Sequence, residues 1–203
     1  MKLKHTLLAL LLTSGVVLLY SAQASAGPVL IDNFDSENGG VGVLNYDGFA
    51  NWDVLGGTVD LIGNGFYDFL PGNGLYVDMD GSSGDAGLMT SNEFTFLSGA
   101  TYVLSFDLAG NRRTATGEAV YVKVSLGTLV DKTISLTSDA PFTHYSYTFV
   151  GDGSTGPLSF EGQGGDNIGM LLDNVNLSVP DPGSSILLLG IGLVGLRAWR
   201  KRL

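Results

Sequence analysis

The chain has 203 residues, with 20 Asp and Glu against 10 Lys and Arg, two His and no Cys, for a formal net charge of −10 at pH 7. The missing cysteines exclude disulfides, thiolate metal sites and Cys nucleophiles, and two histidines cannot build a His-based zinc cluster within one chain. Such an acidic chain repels nucleic acid and anionic lipid and favours divalent cations and neutral partners.

In chain order, the first 26 residues read as a signal peptide. Lys2 and Lys4 form a basic start, Thr6 to Tyr20 an apolar stretch, and Ala24-Ser25-Ala26 supplies the small residues of a cleavage site, at Ala24 and Ala26, before Gly27. Export and signal peptidase processing are therefore expected. Residues 27–179 are long enough for one domain with a core. They hold Arg112, Arg113, Lys123 and Lys132 against 19 carboxylates, and four against nineteen gives this body a net charge of −15.

The body carries 25 of the 30 glycines, in clusters such as Gly39-Gly40, Gly56-Gly57 and Gly72-Asn73-Gly74. Between them run segments of period two, the rhythm of an all-β domain. Weaker strands are expected at Val29–Phe34, Trp52–Leu55, Thr58–Ile62, Leu75–Met79, Gly87–Thr90, Glu93–Leu97 and Leu158–Glu161. The clearest is Thr101–Ala109, with Tyr102, Leu104, Phe106 and Leu108 on one face. Glu118–Leu126 and Leu129–Leu136 form a hairpin across Gly127-Thr128. Phe142–Val150 places Tyr145, Tyr147 and Phe149 opposite His144, Ser146 and Thr148, and Met170–Ser178 closes the set. Ten to twelve short strands predict a β-sandwich of the jelly-roll kind.

Several stretches are chemically informative. Trp52 is the only tryptophan before the tail, and Asn64-Gly65-Phe66-Tyr67-Asp68-Phe69 is an aromatic cluster framed by glycines. Trp52, Phe66, Tyr67, Phe69 and the outward-facing Tyr121 are candidates to stack on a sugar ring. The competing reading is that Trp52 and most of the cluster plug the sandwich. Asp78-Met-Asp80-Gly-Ser-Ser-Gly-Asp85 reads as a solvated turn or a weak ion site; its glycine spacing is not that of an EF-hand loop. Arg112-Arg113 reads as a solvated turn, with grip on an acidic polysaccharide as the alternative. Catalysis has little support: His144 is the only histidine beyond the signal, and no serine stands in a Gly-x-Ser-x-Gly context.

In Leu171-Leu172-Asp173-Asn174-Val175-Asn176-Leu177 the period of two sets Asp173 on the core face with Leu171, Val175 and Leu177. A buried carboxylate must be neutralised, paired or metal-bound. The first strand offers Asp32 and Asp35, so a structural Ca²⁺ between Asp35 (or Asp32) and Asp173 is one expectation. A hydrogen-bonded Asp173 at the strand mouth is the other. Asn33-Phe34-Asp35, Tyr102-Val-Leu-Ser-Phe-Asp107 and Leu172-Asp-Asn-Val-Asn-Leu177 resemble the galactose-binding-like sandwich that includes many carbohydrate-binding modules. That resemblance implies glycan binding and a structural calcium at positions matching Asp35 and Asp173, with Asp35 where glutamate is more usual.

The last segment, residues 180–203, begins Pro180-Asp181-Pro182. It continues through eleven uncharged residues from Ile186 to Leu196 and ends with Arg197, Arg200, Lys201 and Arg202. It reads as a single short transmembrane helix with its basic end cytoplasmic. The order of zones is similar to the PEP-CTERM sorting signal of Gram-negative bacteria, with aspartate replacing the usual glutamate. That resemblance implies recognition of the triplet by a membrane transpeptidase, exosortase. The combined expectation is an exported, non-catalytic surface or exopolysaccharide-matrix protein that binds a polysaccharide. The alternatives are a self-associating spacer without sugar binding and, third, a glycoside-active enzyme.

Overall fold

The computed structural model describes residues 27–113 and 119–180, and of residues 119–122 the backbone alone. The expected signal peptide, with Ala24 and Ala26, lies outside the described residues. So do the sorting positions Asp181, Pro182, Arg197, Arg200, Lys201 and Arg202 and the expected transmembrane helix.

The described chain is an all-β sandwich of two antiparallel sheets. The strands are β1 (Gly27–Asp32), β2 (Trp52–Leu55), β3 (Asp60–Gly63), β4 (Leu75–Asp78), β5 (Leu88–Thr95), β6 (Thr101–Ala109), β7 (Ala119–Leu126), β8 (Val130–Thr137), β9 (Thr143–Val150), β10 (Thr155–Gln163) and β11 (Leu171–Val179). One sheet runs β3-β4-β11-β6-β9 with β1 added on β11, and the other runs β2-β5-β10-β7-β8. Two weak expected strands, Gly87–Thr90 and Glu93–Leu97, are continuous in β5. The polar Ser91 between them is buried, and its hydroxyl accepts the Leu158 amide at 3.0 Å, so a side chain satisfies the backbone where alternation fails.

The core lies between the sheets. Leu104, Phe106 and Leu108 of β6 alternate inward as expected, meeting Val124, Leu126, Leu158 and Phe160 of the facing sheet. Phe106 and Phe160 meet edge to face at 5.1 Å. Each side chain so buried contributes about 1.5–3 kcal/mol. A second, smaller cluster covers the outer face of the first sheet: Ile62, Tyr76, Ala109 and Leu171, with Leu44, Phe69, Leu70 and Phe142 packed against them. Because both faces of β3 and β4 are covered, all four residues of each are buried.

β11 is the central strand. On one side it pairs with β6; on the other β4 takes Leu171 and Leu172, and β1 takes the stretch from Val175 to Val179. Between these partners the register shifts, and Asn174 adopts φ +51°. This β-bulge changes the phase of alternation by one residue. Leu172, Val175, Leu177 and Val179 therefore face the main core, and Leu171 faces the outer cluster. The expectation that Asp173 stands on the core face with Val175 and Leu177 is corrected. Asp173 pairs with Asp107 of β6 on the outer face, and it is nevertheless only 2% exposed.

Candidate functional site

A pocket of about 80 Å³ opens at the end of the sandwich where β4 ends and β11 begins. Its lining includes Asp60, Tyr67, Phe69, Asp78, Ser82 and Arg113. The aromatic side is built by a tight turn. Gly63 and Phe66 exchange backbone hydrogen bonds of 2.9 Å, with Asn64 at φ +51° and Gly65 at φ +85° between them. Asn-Gly is the pair that a turn with two positive φ values favours. Tyr67 follows at φ +45°, a left-handed conformation for a bulky residue that costs about 1–3 kcal/mol and persists where the surroundings impose it. Here Asp68 imposes it: its carboxylate accepts the Gly65 amide at 3.2 Å and the Tyr76 hydroxyl at 3.0 Å, and that hydroxyl accepts the Leu70 amide at 3.0 Å. Burial pushes the Tyr76 hydroxyl up to about 12, so it stays a donor. Phe66 and Tyr67 stand exposed, 36% and 56%, with ring centroids 4.9 Å apart.

The polar floor comes from the outer face of the sheet. Asp60 and Asp78 are direct cross-strand partners, an arrangement that like charges disfavour. Asp60 accepts the Asn45 amide at 2.7 Å and both the amide and hydroxyl of Ser82, at 3.1 and 2.7 Å. Asp78 accepts the Gly169 amide at 2.9 Å, the Asp80 amide at 3.2 Å and the Arg113 guanidinium at 2.6 Å. Arg113 also donates to the Asn167 carbonyl and lies 5.1 Å over the Phe69 ring. Burial raises the Asp78 carboxyl to about 7 in spite of Arg113, with Asp60 adding to the rise. Beneath it the fully buried Asp80 accepts the amides of Gly165 and Asp166 at 2.8 and 3.2 Å. The expectation of a solvated turn at 78–85 is therefore corrected: Asp78 and Asp80 organise a buried floor, and Asp85 alone of the three carboxylates is exposed.

A second acidic group lies where β1 and β4 meet along β11. Asp173 is pushed up to about 7, first by burial and then by the charges of Asp35, Asp107 and Asp32. Among the described residues its hydrogen-bond donors are the amide and side-chain nitrogen of Asn174, at 2.7 and 3.2 Å. Asn174 also donates to Asp107 at 3.0 Å, and Asp107 meets His144 at 2.7 Å. Asp35 accepts the Leu75 amide at 2.9 Å and the Asn33 side chain at 2.7 Å. Gly74 lies so close that a Cβ there would come within 1.9 Å of Asp35 Oδ1. Oxygen donors with unrelieved mutual repulsion fit a hard divalent cation. Among the described residues, however, no three His, Asp or Glu side chains are grouped to hold a metal.

Asp32 does not fit as a ligand. Its carboxylate accepts the Phe34 amide at 2.9 Å, the Trp52 indole N–H at 2.8 Å and the Asn51 side chain at 3.1 Å. This also corrects the expectation for Trp52. The indole is 3% exposed, packed on Phe160 at 5.7 Å and tied by its polar edge to Asp32, so no sugar can stack on it. Of the five aromatic candidates, Phe66, Tyr67 and Phe69 are brought together, Trp52 is in the core, and the Tyr121 side chain lies outside the described residues.

Residues 33–178 match a family described as "protein of unknown function (DUF642)". The chain belongs to the DUF642 family. Residues 178–202 of this DUF642 chain match the PEP-CTERM protein-sorting motif, as expected from Pro180-Asp181-Pro182 and the basic end. No curated protein matches it. Among solved structures it is similar to the CBM22-1 and GH10 modules of a Clostridium thermocellum endo-1,4-beta-D-xylanase complexed with xylohexaose. The identity is 17% over 78% of this chain and 29% of that one, so the DUF642 chain spans under a third of it; the TM-score is 0.42. It is similar to a CBM22-1 xylan-binding domain from Paenibacillus barcinonensis, at 12% identity over 79% and 99% of the two chains with a TM-score of 0.44. It is also similar to a cleaved adhesin domain of Lys-gingipain from Porphyromonas gingivalis, at 16% identity over 74% and 98% with a TM-score of 0.45.

Sequence reasoning missed Asp60 and Ser82 in this DUF642 pocket, and it missed the partner of Arg113. Arg113 was expected on a solvated turn, and it reaches 35 residues back to Asp78. No local pattern marks such a pair. Asp60 carried a weak signal: it breaks the apolar run Val59-Asp60-Leu61-Ile62, as an inward-facing or capped carboxylate must.

Proposed function

We propose that this chain is an exported, non-catalytic surface or exopolysaccharide-matrix protein whose pocket binds a neutral glycan. The observation that carries this reading is the exposed Phe66–Tyr67 pair beside a floor of Asp60, Asp78, Ser82 and Arg113. A carboxylate has about four acceptor sites, and Asp60 and Asp78 each use three. Each keeps room for one sugar hydroxyl, while the Tyr67 ring offers a stacking face. A pocket of about 80 Å³ takes a substituent such as a hydroxymethyl arm, with the ring lying over Tyr67. Arg113 is neutralised by Asp78, and the body is acidic, so uncharged sugars are favoured over uronates.

A structural Ca²⁺ belongs to the same proposal. Asp35 and Asp173 would hold it with backbone carbonyls, and it would relieve the repulsion that raises the Asp173 carboxyl. Signal peptidase at Ala24-Ser25-Ala26 and an exosortase at Pro180-Asp181-Pro182 would be the processing partners, with the tail entering the inner membrane.

The test is titration of the purified protein with neutral oligosaccharides, after a glycan array has chosen them. Tyr67→Ala should weaken binding at least tenfold with the melting temperature unchanged. If the unaltered protein binds no glycan, the reading falls in favour of a self-associating spacer, which the burial of Trp52 favours.

A further inference from the structure

The glycan pocket and the sorting motif occupy opposite ends of β11. Leu171 pairs with Asp78 at the pocket, and Val179 is the last strand residue before Pro180. The eight steps between them span roughly 26 Å. At the Val179 end a second, wider groove of about 360 Å³ lies between the sheets, lined by Val29, Phe94, Phe96, Leu97, Tyr102 and Val179 among others. Its rim is apolar and exposed: Val29 at 39% and Leu97 at 38%, with Val150 at 58% beside them. Val150 stands at the same end of the sandwich, because the next residue, Gly151, packs on Leu97, where a Cβ would lie 2.4 Å from the Leu97 carbonyl. Among the described residues no basic side chain lines the groove, and Glu93 does.

We infer that this apolar end of the sandwich rests on a zwitterionic lipid surface, seating Leu97, Val150 and Val29 in the headgroup layer. The argument is where the chain goes next. Only six residues, Pro180 to Ser185, separate Val179 from the uncharged stretch that begins at Ile186, and fully extended they reach about 20 Å. Once Ile186–Leu196 is in a bilayer, this end of the body is held within that distance of it. Exposed aliphatic residues there lose contact with water when they meet the interface. Glu93, with no basic side chain beside it among the described residues that line the groove, opposes anionic headgroups and tolerates neutral ones. The same seating points the Tyr67 pocket away from the membrane surface. The inference rests on the reading that the tail enters the membrane.

The experiment uses the full chain, which has no cysteine, so single labels can be placed at will. Leu97→Cys and Val150→Cys report on the groove end, Asp85→Cys on the pocket end and Leu187→Cys on the tail, each carrying an environment-sensitive fluorophore. Proteins are inserted into phosphatidylcholine vesicles containing brominated lipid, with circular dichroism checking that each variant keeps its β spectrum. Labels at 97 and 150 should be quenched at least twofold more than the label at 85. Replacing half the lipid with phosphatidylglycerol should halve that quenching and leave position 187 unchanged. Quenching at 187 without quenching at 97 and 150 overturns this inference alone; no quenching at 187, 97 or 150 overturns it together with the membrane reading of the tail. Protection of positions 97 and 150 that grows with protein concentration in lipid-free detergent assigns the groove to a second copy and also overturns it. Anionic lipid that leaves the quenching unchanged removes the zwitterionic assignment.

Discussion

Asp78 and Arg113 form an ion pair of 2.6 Å in which the carboxylate is buried and the guanidinium is only partly covered. Desolvation falls on the acid, and the pair leaves its carboxyl near 7. An acid whose folded value lies above its unfolded one binds more protons when folded. Its contribution to stability is fully present at low pH and is lost as pH rises from about 4 toward 7. The shift from 3.8 to about 7 bounds this at about 4 kcal/mol. Metal-free protein should therefore melt higher at pH 5 than at pH 8. Asp78→Asn should narrow that gap, measured by calorimetry across the range. A gap unchanged by the substitution would show that Asp78 does not titrate there.

The buried indole gives a second prediction. Asp32→Ala leaves the Trp52 N–H, the Asn51 amide and the Phe34 amide without their acceptor, and each lost partner in a buried site costs about 1–3 kcal/mol. Denaturant unfolding followed by Trp52 emission should show a loss of at least 2 kcal/mol. Glycan binding, where present, should keep its affinity at temperatures well below the transition, because the Tyr67 pocket is built from other residues. A loss of affinity without loss of stability would return Trp52 or Asp32 to the binding surface.

The bulge in β11 gives a third. Asn174 at φ +51° occupies a conformation that costs an L side chain about 1–2 kcal/mol unless it is Gly, Asn or Asp. Asn174→Ala loses both the conformation and the bridge from Asp173 to Asp107; Asn174→Gly loses the bridge alone. The alanine protein should be less stable than the glycine protein by about 1 kcal/mol in chemical denaturation. Equal stabilities would mean that the side-chain bridge, and not the backbone, holds the bulge.

These residues also show what was legible in the sequence. The sandwich was legible because β6 and β9 alternate strictly and glycines mark the turns between strands. The phase of β11 was not, since a bulge is set by what lies beside the strand, here the handover from β4 to β1. Tyr67 and Phe69 were legible as an aromatic cluster after Asn64-Gly65. Arg113 was not, because its partner is fixed by the sheet order rather than by spacing. Trp52 was ambiguous for a physical reason: an indole serves equally as a core plug and as a sugar platform, and Asp32 decided between them through one hydrogen bond.

The acidic junction at Asp173 yields the last prediction. Three neighbouring carboxylates raise its pKa after burial does, and a bound Ca²⁺ would reverse their effect by supplying the missing positive charge. With calcium at 100 times its dissociation constant, the protein should gain about 2.7 kcal/mol, seen as a higher melting temperature that EDTA abolishes. Asp173→Asn and Asp35→Asn should each remove the calcium-dependent part. Asp173→Asn should cost little in EDTA, because without metal the amide removes a charge that burial and the neighbouring carboxylates already disfavour. Asp78→Asn, at the other acidic group, should leave the calcium response intact. The two responses separate the sites: a calcium effect lost in Asp78→Asn and kept in Asp173→Asn would move the ion to the floor of the pocket.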